Sequence, residues 1–200
     1  MKKFFMILLM AVVPFISVCG KSNNPVRLFK GTLAALKDVN AKGFVEIDYS
    51  KTKIEGKPLV QWLDSVGMSM KQFQENDSER IRYFSEKWED DMKRGMSLTS
   101  NRDEADYIVR IRIRKFNYGM DAAGGRSGSN WNWSGVQGGG ASISGYVDIV
   151  KKDSESLECT LEVLEMNGTI MGTVYRGEHG ILRIFNDLGE DICKVVNKAK

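Results

Sequence analysis

The chain is 200 residues long and carries 29 basic and 26 acidic residues, one histidine and three cysteines. That length suits one domain with one core, and the near-balance of charge argues against a nucleic-acid partner, which needs a clustered basic surface. A structural zinc site takes four Cys or His ligands. Only His179, Cys159 and Cys193 remain once Cys19 is set aside, so no metal and no cofactor is expected.

Residues 1–19 read as an export segment. Lys2 and Lys3 precede the apolar run FFMILLMAVVPF, and Ile16-Ser17-Val18-Cys19 closes it. A basic start, a short apolar stretch and a terminal cysteine form the layout of a signal peptide. The run falls short of the roughly 20 residues of a spanning helix. Two readings stand for Cys19: lipidation after a lipobox-like segment, or ordinary signal-peptidase cleavage nearby. Val18 is larger than the small residue usual before a lipidated cysteine, and the A-x-A-like alternative is also absent. Residues 20–26, GKSNNPV, are polar and proline-broken, as a tether between lipid and domain would be. Without Lys2 and Lys3 the balance is 27 basic against 26 acidic, or +1. The address is the cell envelope, lipid-anchored on the periplasmic side of the outer membrane, or soluble secreted or periplasmic if Cys19 is lost.

Residues 27–200 are expected to form a single α+β domain. A short strand opens at Val26, and Gly43–Tyr49 follows, with Phe44 and Glu46 on one face and Val45, Ile47 and Tyr49 on the other. After a polar connection, Pro58 starts a short helix whose Val60, Leu63 and Val66 are expected inward. A longer helix is predicted over 77–95, capped by Asp77 or Ser78, burying Ile81, Phe84, Trp88 and Met92, exposing Arg80 among other charges and stopping at Gly95. Tyr107–Tyr118 is the strongest strand signal: Val109, Ile111 and Ile113 alternate with Arg110, Arg112 and Arg114. Residues 141–151 and 156–166 alternate likewise, and Asn167-Gly168 predicts a hairpin returning over 169–176 as the last strand of an antiparallel meander. A helix over 180–198 buries Ile181, Ile184 or Phe185, Leu188, Ile192, Val195 and Val196. The expectation is a mixed or largely antiparallel sheet with two main helices packed on one face.

Several residues bear on function. Arg110, Arg112 and Arg114 share a strand face that is either simply solvated or meets an anionic partner such as a lipid headgroup or glycan. Cys159 and Cys193 can form a disulfide in an oxidising compartment or stay buried as thiols. Residues 119–140 carry eight glycines with Trp131 and Trp133. With Asn130 and Asn132 these tryptophans could contact a glycan, a protein groove or the membrane, or fold back over the sheet edge. Carboxylates are plentiful; Glu46 and Asp48, two apart, share a face if both lie in the strand 43–49, and a glycosidase-like pair would need them roughly 5–9 Å apart across a cleft. His179 beside Glu178 has a surface or capping role. There is no G-x-S-x-G elbow and no phosphate loop, so no catalytic residue is assigned and the chain is expected not to be an enzyme.

Lys30-Gly31 with Leu33 and Leu36, the run Phe44–Ser50 and the strand start Ala105–Val109 resemble a group of envelope lipoproteins of Bacteroides-like bacteria. The layout is more distantly similar to the α/β domain of the curli-assembly lipoprotein family and the periplasmic activators of peptidoglycan synthases. The resemblance implies a domain at the membrane edge that works by contacting an envelope protein partner. The leading expectation is therefore a non-enzymatic envelope lipoprotein. A glycan or small-ligand binder using Trp131 and Trp133 and a carboxylate-dependent enzyme at Glu46 and Asp48 are the alternatives.

Overall fold

A computed structural model describes residues 24–119, 140–170, 173–174 and 177–199. In chain order the elements are β1 (Val26–Gly31), α1 (Ala34–Lys37), β2 (Lys42–Asp48), β3 (Lys53–Ile54), β4 (Lys57–Pro58), α2 (Leu59–Val66), α3 (Met70–Gln74), α4 (Asp77–Asp91) and β5 (Ser97–Thr99). A 3-10 turn at Arg102–Glu104 leads into β6 (Tyr107–Asn117), β7 (Ser142–Lys151), β8 (Leu157–Asn167), β9 (Thr169–Ile170), β10 (Thr173–Val174) and α5 (Gly177–Lys198). The fold is α+β. Its main sheet runs β1-β8-β7-β6-β2-β5, with the short β3 continuing β2 along the same edge of β6.

The sheet is mixed. β6, β7, β8 and β1 pair antiparallel, whereas β2 lies parallel to both β6 and β5. A parallel pair needs a long crossover, and residues 49–106, which contain α2 to α4, supply it. The predicted meander therefore holds for β6 to β8 and then stops. Among the described residues the return strand does not join it: β9 and β10 pair with each other in a separate two-stranded ribbon. The free edge of β8 is taken by β1, with Val26 opposite Val163 and Leu28 opposite Leu161. The Asn24 side-chain amide donates to the Asp191 carbonyl (2.9 Å), and the Pro25 carbonyl accepts from the Leu164 amide (2.8 Å), so both residues belong to the domain.

Period-two alternation sends Val45, Val109, Ile111, Ile113, Val147, Ile149, Leu161 and Val163 to one sheet face, where they are buried with the stripe Ile181, Ile184, Phe185, Leu188, Ile192 and Val196 of α5. Phe84 and Trp88 of α4 join them, and the Trp88 indole donates to the Met96 carbonyl at 2.8 Å. α4 and α5 pack closely enough that Gly189 is required: a β-carbon there would lie 2.6 Å from the Phe84 carbonyl oxygen. Val195, Ile81 and Met92 are only partly buried against this core.

Three details depart from the periodicity reading. α4 ends at Asp91 rather than Gly95, and no side chain caps its start, because Asp77 is drawn to Arg80 and Tyr49 instead. In α2 the buried residues are Leu59 and Leu63, while Val60 and Val66 face outward. Arg80, expected on the charged face of α4, is fully buried. Among the described residues no helix is long and apolar enough to cross a membrane.

Candidate functional site

The second face of the sheet is not covered by α4 or α5, and it carries the alternate residues of β1, β2, β6, β7 and β8. Register sets them in rows. In one row Glu46 of β2 lies opposite Arg110 of β6, which lies opposite Asp148 of β7 and then Thr160 of β8. In the next, Asp48, Arg112, Tyr146, Glu162 and Arg27 follow one another across five strands. The candidate residues Arg110 and Arg112 thus fall into one array with Glu46 and Asp48, although the two sets lie in strands far apart in the sequence.

The array is paired from within. Arg110 Nε donates to Glu46 Oε1 at 2.5 Å, and Arg102 approaches the other Glu46 oxygen at 3.6 Å. Arg112 grips Asp148 with two nitrogens, Nη2 donating to Oδ1 (2.8 Å) and Nε lying 2.5 Å from Oδ2, while the Thr160 hydroxyl also donates to Oδ1 (2.8 Å). Arg27 reaches Glu162 at 2.6 Å. The guanidinium carbons of Arg112 and Arg114 stand 5.3 and 5.9 Å from the Tyr146 ring centre, cation–π distances. Phe29, 61% exposed, meets Tyr146 from β1 with ring centres 5.7 Å apart.

Among these carboxylates Asp48 is held in its charged form. Burial opposes ionisation of Asp48. Its hydrogen bonds to Ser50 and the charges of Arg110 and Arg112 outweigh that and hold its carboxyl below the usual aspartate value. A general acid at neutral pH needs the opposite shift, and Glu46 is occupied by two arginines. A groove of about 840 Å³ opens where β2 leaves the sheet, bounded by Glu46, Asp48, Arg110 and Arg114 on one side and by Leu59, Val60 and Met70 on the other.

A second polar cluster lies on the covered side. The Arg80 guanidinium is sandwiched between Phe73 and Phe116, 5.1 and 5.4 Å from the ring centres. It donates to both Glu178 oxygens (2.8 and 2.7 Å), to Asp77 (2.9 Å) and to the Tyr49 hydroxyl (2.8 Å). The Tyr49 hydroxyl in turn donates to Asp77 at 2.6 Å. Desolvation raises the Tyr49 and Tyr118 hydroxyls and the Asp77 carboxyl, and although it works against Arg80, the Glu178 hydrogen bonds and surrounding charges hold that guanidinium ionised. The cluster ties β2, α3, α4, β6 and α5 together. It commits Glu178 to Arg80, and His179 sits exposed in the first turn of α5.

The remaining candidates separate. Cys159 and Cys193 are both free and buried, so the considered disulfide is not formed, and the Cys193 thiol turns to the Trp88 carbonyl at 3.6 Å. Cys19, Asn130, Trp131, Asn132 and Trp133 lie outside the described residues. Among the described residues no group of His, Cys, Asp and Glu could hold a metal ion. Periodicity had placed Tyr146 and Asp148 opposite the buried residues of β7. Their contribution to the array depends on cross-strand register, which a single strand does not display. No family model and no curated protein matches the chain. Two solved structures are distantly similar, both PelC dodecamers from Paraburkholderia phytofirmans, one of them a single-substitution variant. Their TM-scores are 0.45 and 0.44 at 10% and 9% identity, over 88% of this chain and 98% of each of theirs.

Proposed function

We propose that this chain is a non-enzymatic binding module of the cell envelope, held to the membrane through a lipid on Cys19, that docks a protein partner on the open face of its sheet. The observation that carries the reading is the exposed Phe29 packed on the half-buried Tyr146, set among Arg27, Arg112 and Arg114. Aromatic and arginine side chains supply most of the binding energy at protein interfaces, and an apolar pair ringed by charges has the layout of an interface centre with its polar rim. The engaged carboxylates of Glu46 and Asp148 favour recognition over proton transfer. The export segment and the polar stretch after it support the anchor.

A photocrosslinking residue placed at position 29 in cells tests the docking face, with position 39 as control because Val39 is equally exposed outside the sheet. A discrete crosslinked product at 29, absent at 39 and lost with Tyr146→Ala, is expected. Equal crosslinking at both positions, or none at 29, would overturn the docking face. The intact mass of membrane-extracted chain tests the anchor separately: it should carry a diacylglyceryl-sized addition at Cys19, and a chain without one removes that half of the proposal.

A further inference from the structure

Arg114 differs from its two neighbours in the Arg-x-Arg-x-Arg row. Arg110 and Arg112 each hold a carboxylate, but among the described residues Arg114 makes no ion pair or hydrogen bond and only faces the Tyr146 ring. The backbone explains why. On one side the β6–β7 register shifts between Ile113 and Lys115, so Arg114 has no residue opposite it on β7. On the other side β2 ends at Asp48, and the chain rejoins β6 only at Lys53, which lies opposite Lys115. β2 therefore leaves β6 beside Arg114, and the bulge leaves Arg114 without a partner on β7, which stays paired on either side of it. Bulges of this kind re-aim side chains beside binding sites.

The gap left by β2 is the groove. Its volume, about 840 Å³, lies within the range of small-molecule sites. Lys51, Lys53, Arg110 and Arg114 line it against two carboxylates, Glu46 and Asp48. Glu46 is neutralised by Arg110 and Arg102, and Asp48 accepts the Ser50 amide at 2.8 Å. An excess of positive charge with one unengaged guanidinium is left facing the groove. Apolar residues also line it, among them Pro58, Val60 and Met70, with Val60 61% exposed.

We propose that this groove binds an amphipathic organic anion, a phosphate or carboxylate group held by Arg114 with an apolar body lying along Val60 and Met70. A guanidinium fork matches either oxyanion with two parallel hydrogen bonds. The site shares Arg114 with the protein-docking proposal, which otherwise rests on Phe29 and Tyr146, and the two are told apart by their readouts, calorimetry here and crosslinking at position 29 there.

Titration calorimetry of the full chain tests it with three probes: octyl phosphate, inorganic phosphate and octanol. Octyl phosphate is expected to bind, more tightly than either of the others. Arg114→Gln should weaken it about tenfold or more, Arg114→Lys should restore part of the loss, and Arg27→Gln, on the same face outside the groove, should leave it unchanged. Thermal unfolding of Arg114→Gln should match the parent, because Arg114 holds no carboxylate. No binding of octyl phosphate at millimolar concentration, or binding indifferent to Arg114→Gln, overturns the site. Octanol binding as well as octyl phosphate overturns the role of the charge. Inorganic phosphate binding as well as octyl phosphate overturns the role of the apolar wall and identifies a plain anion site.

Discussion

Replacing Arg80 with methionine should be among the most damaging single changes in this protein, although most arginines on a helix can be exchanged at little cost. The Arg80 side chain is fully buried and serves two carboxylates and a tyrosine hydroxyl. Breaking a buried ion pair by removing one partner costs about 3–5 kcal/mol, because the other charge stays behind. Here the orphaned carboxylates keep some water, with side chains 26% exposed for Glu178 and 20% for Asp77, which lowers that figure. Methionine refills the slot between Phe73 and Phe116 and keeps most of the apolar contact. The loss should come to about 3 kcal/mol, a large share of the roughly 5–15 kcal/mol that holds a domain folded. Urea unfolding followed by tryptophan fluorescence reads it as a midpoint lowered by about 1.5 M at an unchanged slope of about 2 kcal/mol per molar. Adding Glu178→Gln and Asp77→Asn to Arg80→Met should recover about 1 kcal/mol or more, since the stranded charges are then gone. A loss below about 1 kcal/mol for Arg80→Met, or a triple variant weaker than the single one, would refute the reasoning.

Two further outcomes are expected. Burial pushes the Cys159 and Cys193 thiols up to about 12, so in a Cys19→Ser chain a thiol reagent at pH 8 should react with neither residue when folded and with both in urea without reductant. Failure to label in urea would reveal a disulfide. The second outcome concerns acid. Asp48 is held below its ordinary value of 3.8, so its ionised form favours the folded state. That contribution is present above 3.8 and is lost as pH falls through the lower, folded value. The stability gap between the parent and Asp48→Asn should hold steady from pH 7 to 5 and close below 3.8; a gap unchanged down to pH 2 would contradict the assignment.

Much of this architecture is legible in the chain because sheet and helix periods are local properties. The alternation marks both faces of β6 and β7 and of β8 from Cys159 to Val163, although Leu157 is exposed, and the stripes of α4 and α5 mark the helix residues that meet the sheet, Phe84, Trp88, Ile181, Leu188 and Ile192 among them. What stayed hidden is pairing. Nothing in VRLFKG says that β1 lies beside β8 rather than beside its neighbour in sequence, and nothing in Asn167-Gly168 says that the chain turning there will leave the sheet. Short elements such as α3 and β5 offer too few residues for a period to register. Arg80 was misplaced because periodicity sorts residues by polarity, whereas burial of a guanidinium depends on partners arriving from Asp77, Tyr49 and Glu178. The groove was invisible for a related reason: it exists where β2 departs from β6 beside a bulge, and neither feature leaves a mark in the arginine row itself.

The regularity of the β2–β6 pair has a consequence for how the sheet finds its alignment. Sliding β2 by two residues would set Glu46 against Arg112 and Asp48 against Arg114. It would also set Val45 and Ile47 against Ile111 and Ile113, so charges and apolar groups would match as well as before. A one-residue slip is forbidden, since it turns every side chain over, but the repeat itself is blind to a slip of two. The correct alignment is therefore encoded by the residues that occur once. Asp106 accepts the Lys42 amide (2.9 Å), the Thr52 hydroxyl donates to the Ile113 carbonyl (2.7 Å), and Gly43 leaves room where a β-carbon would come 2.7 Å from Met96 Sδ. The repeating residues supply adhesion without address, and these solitary contacts supply the address.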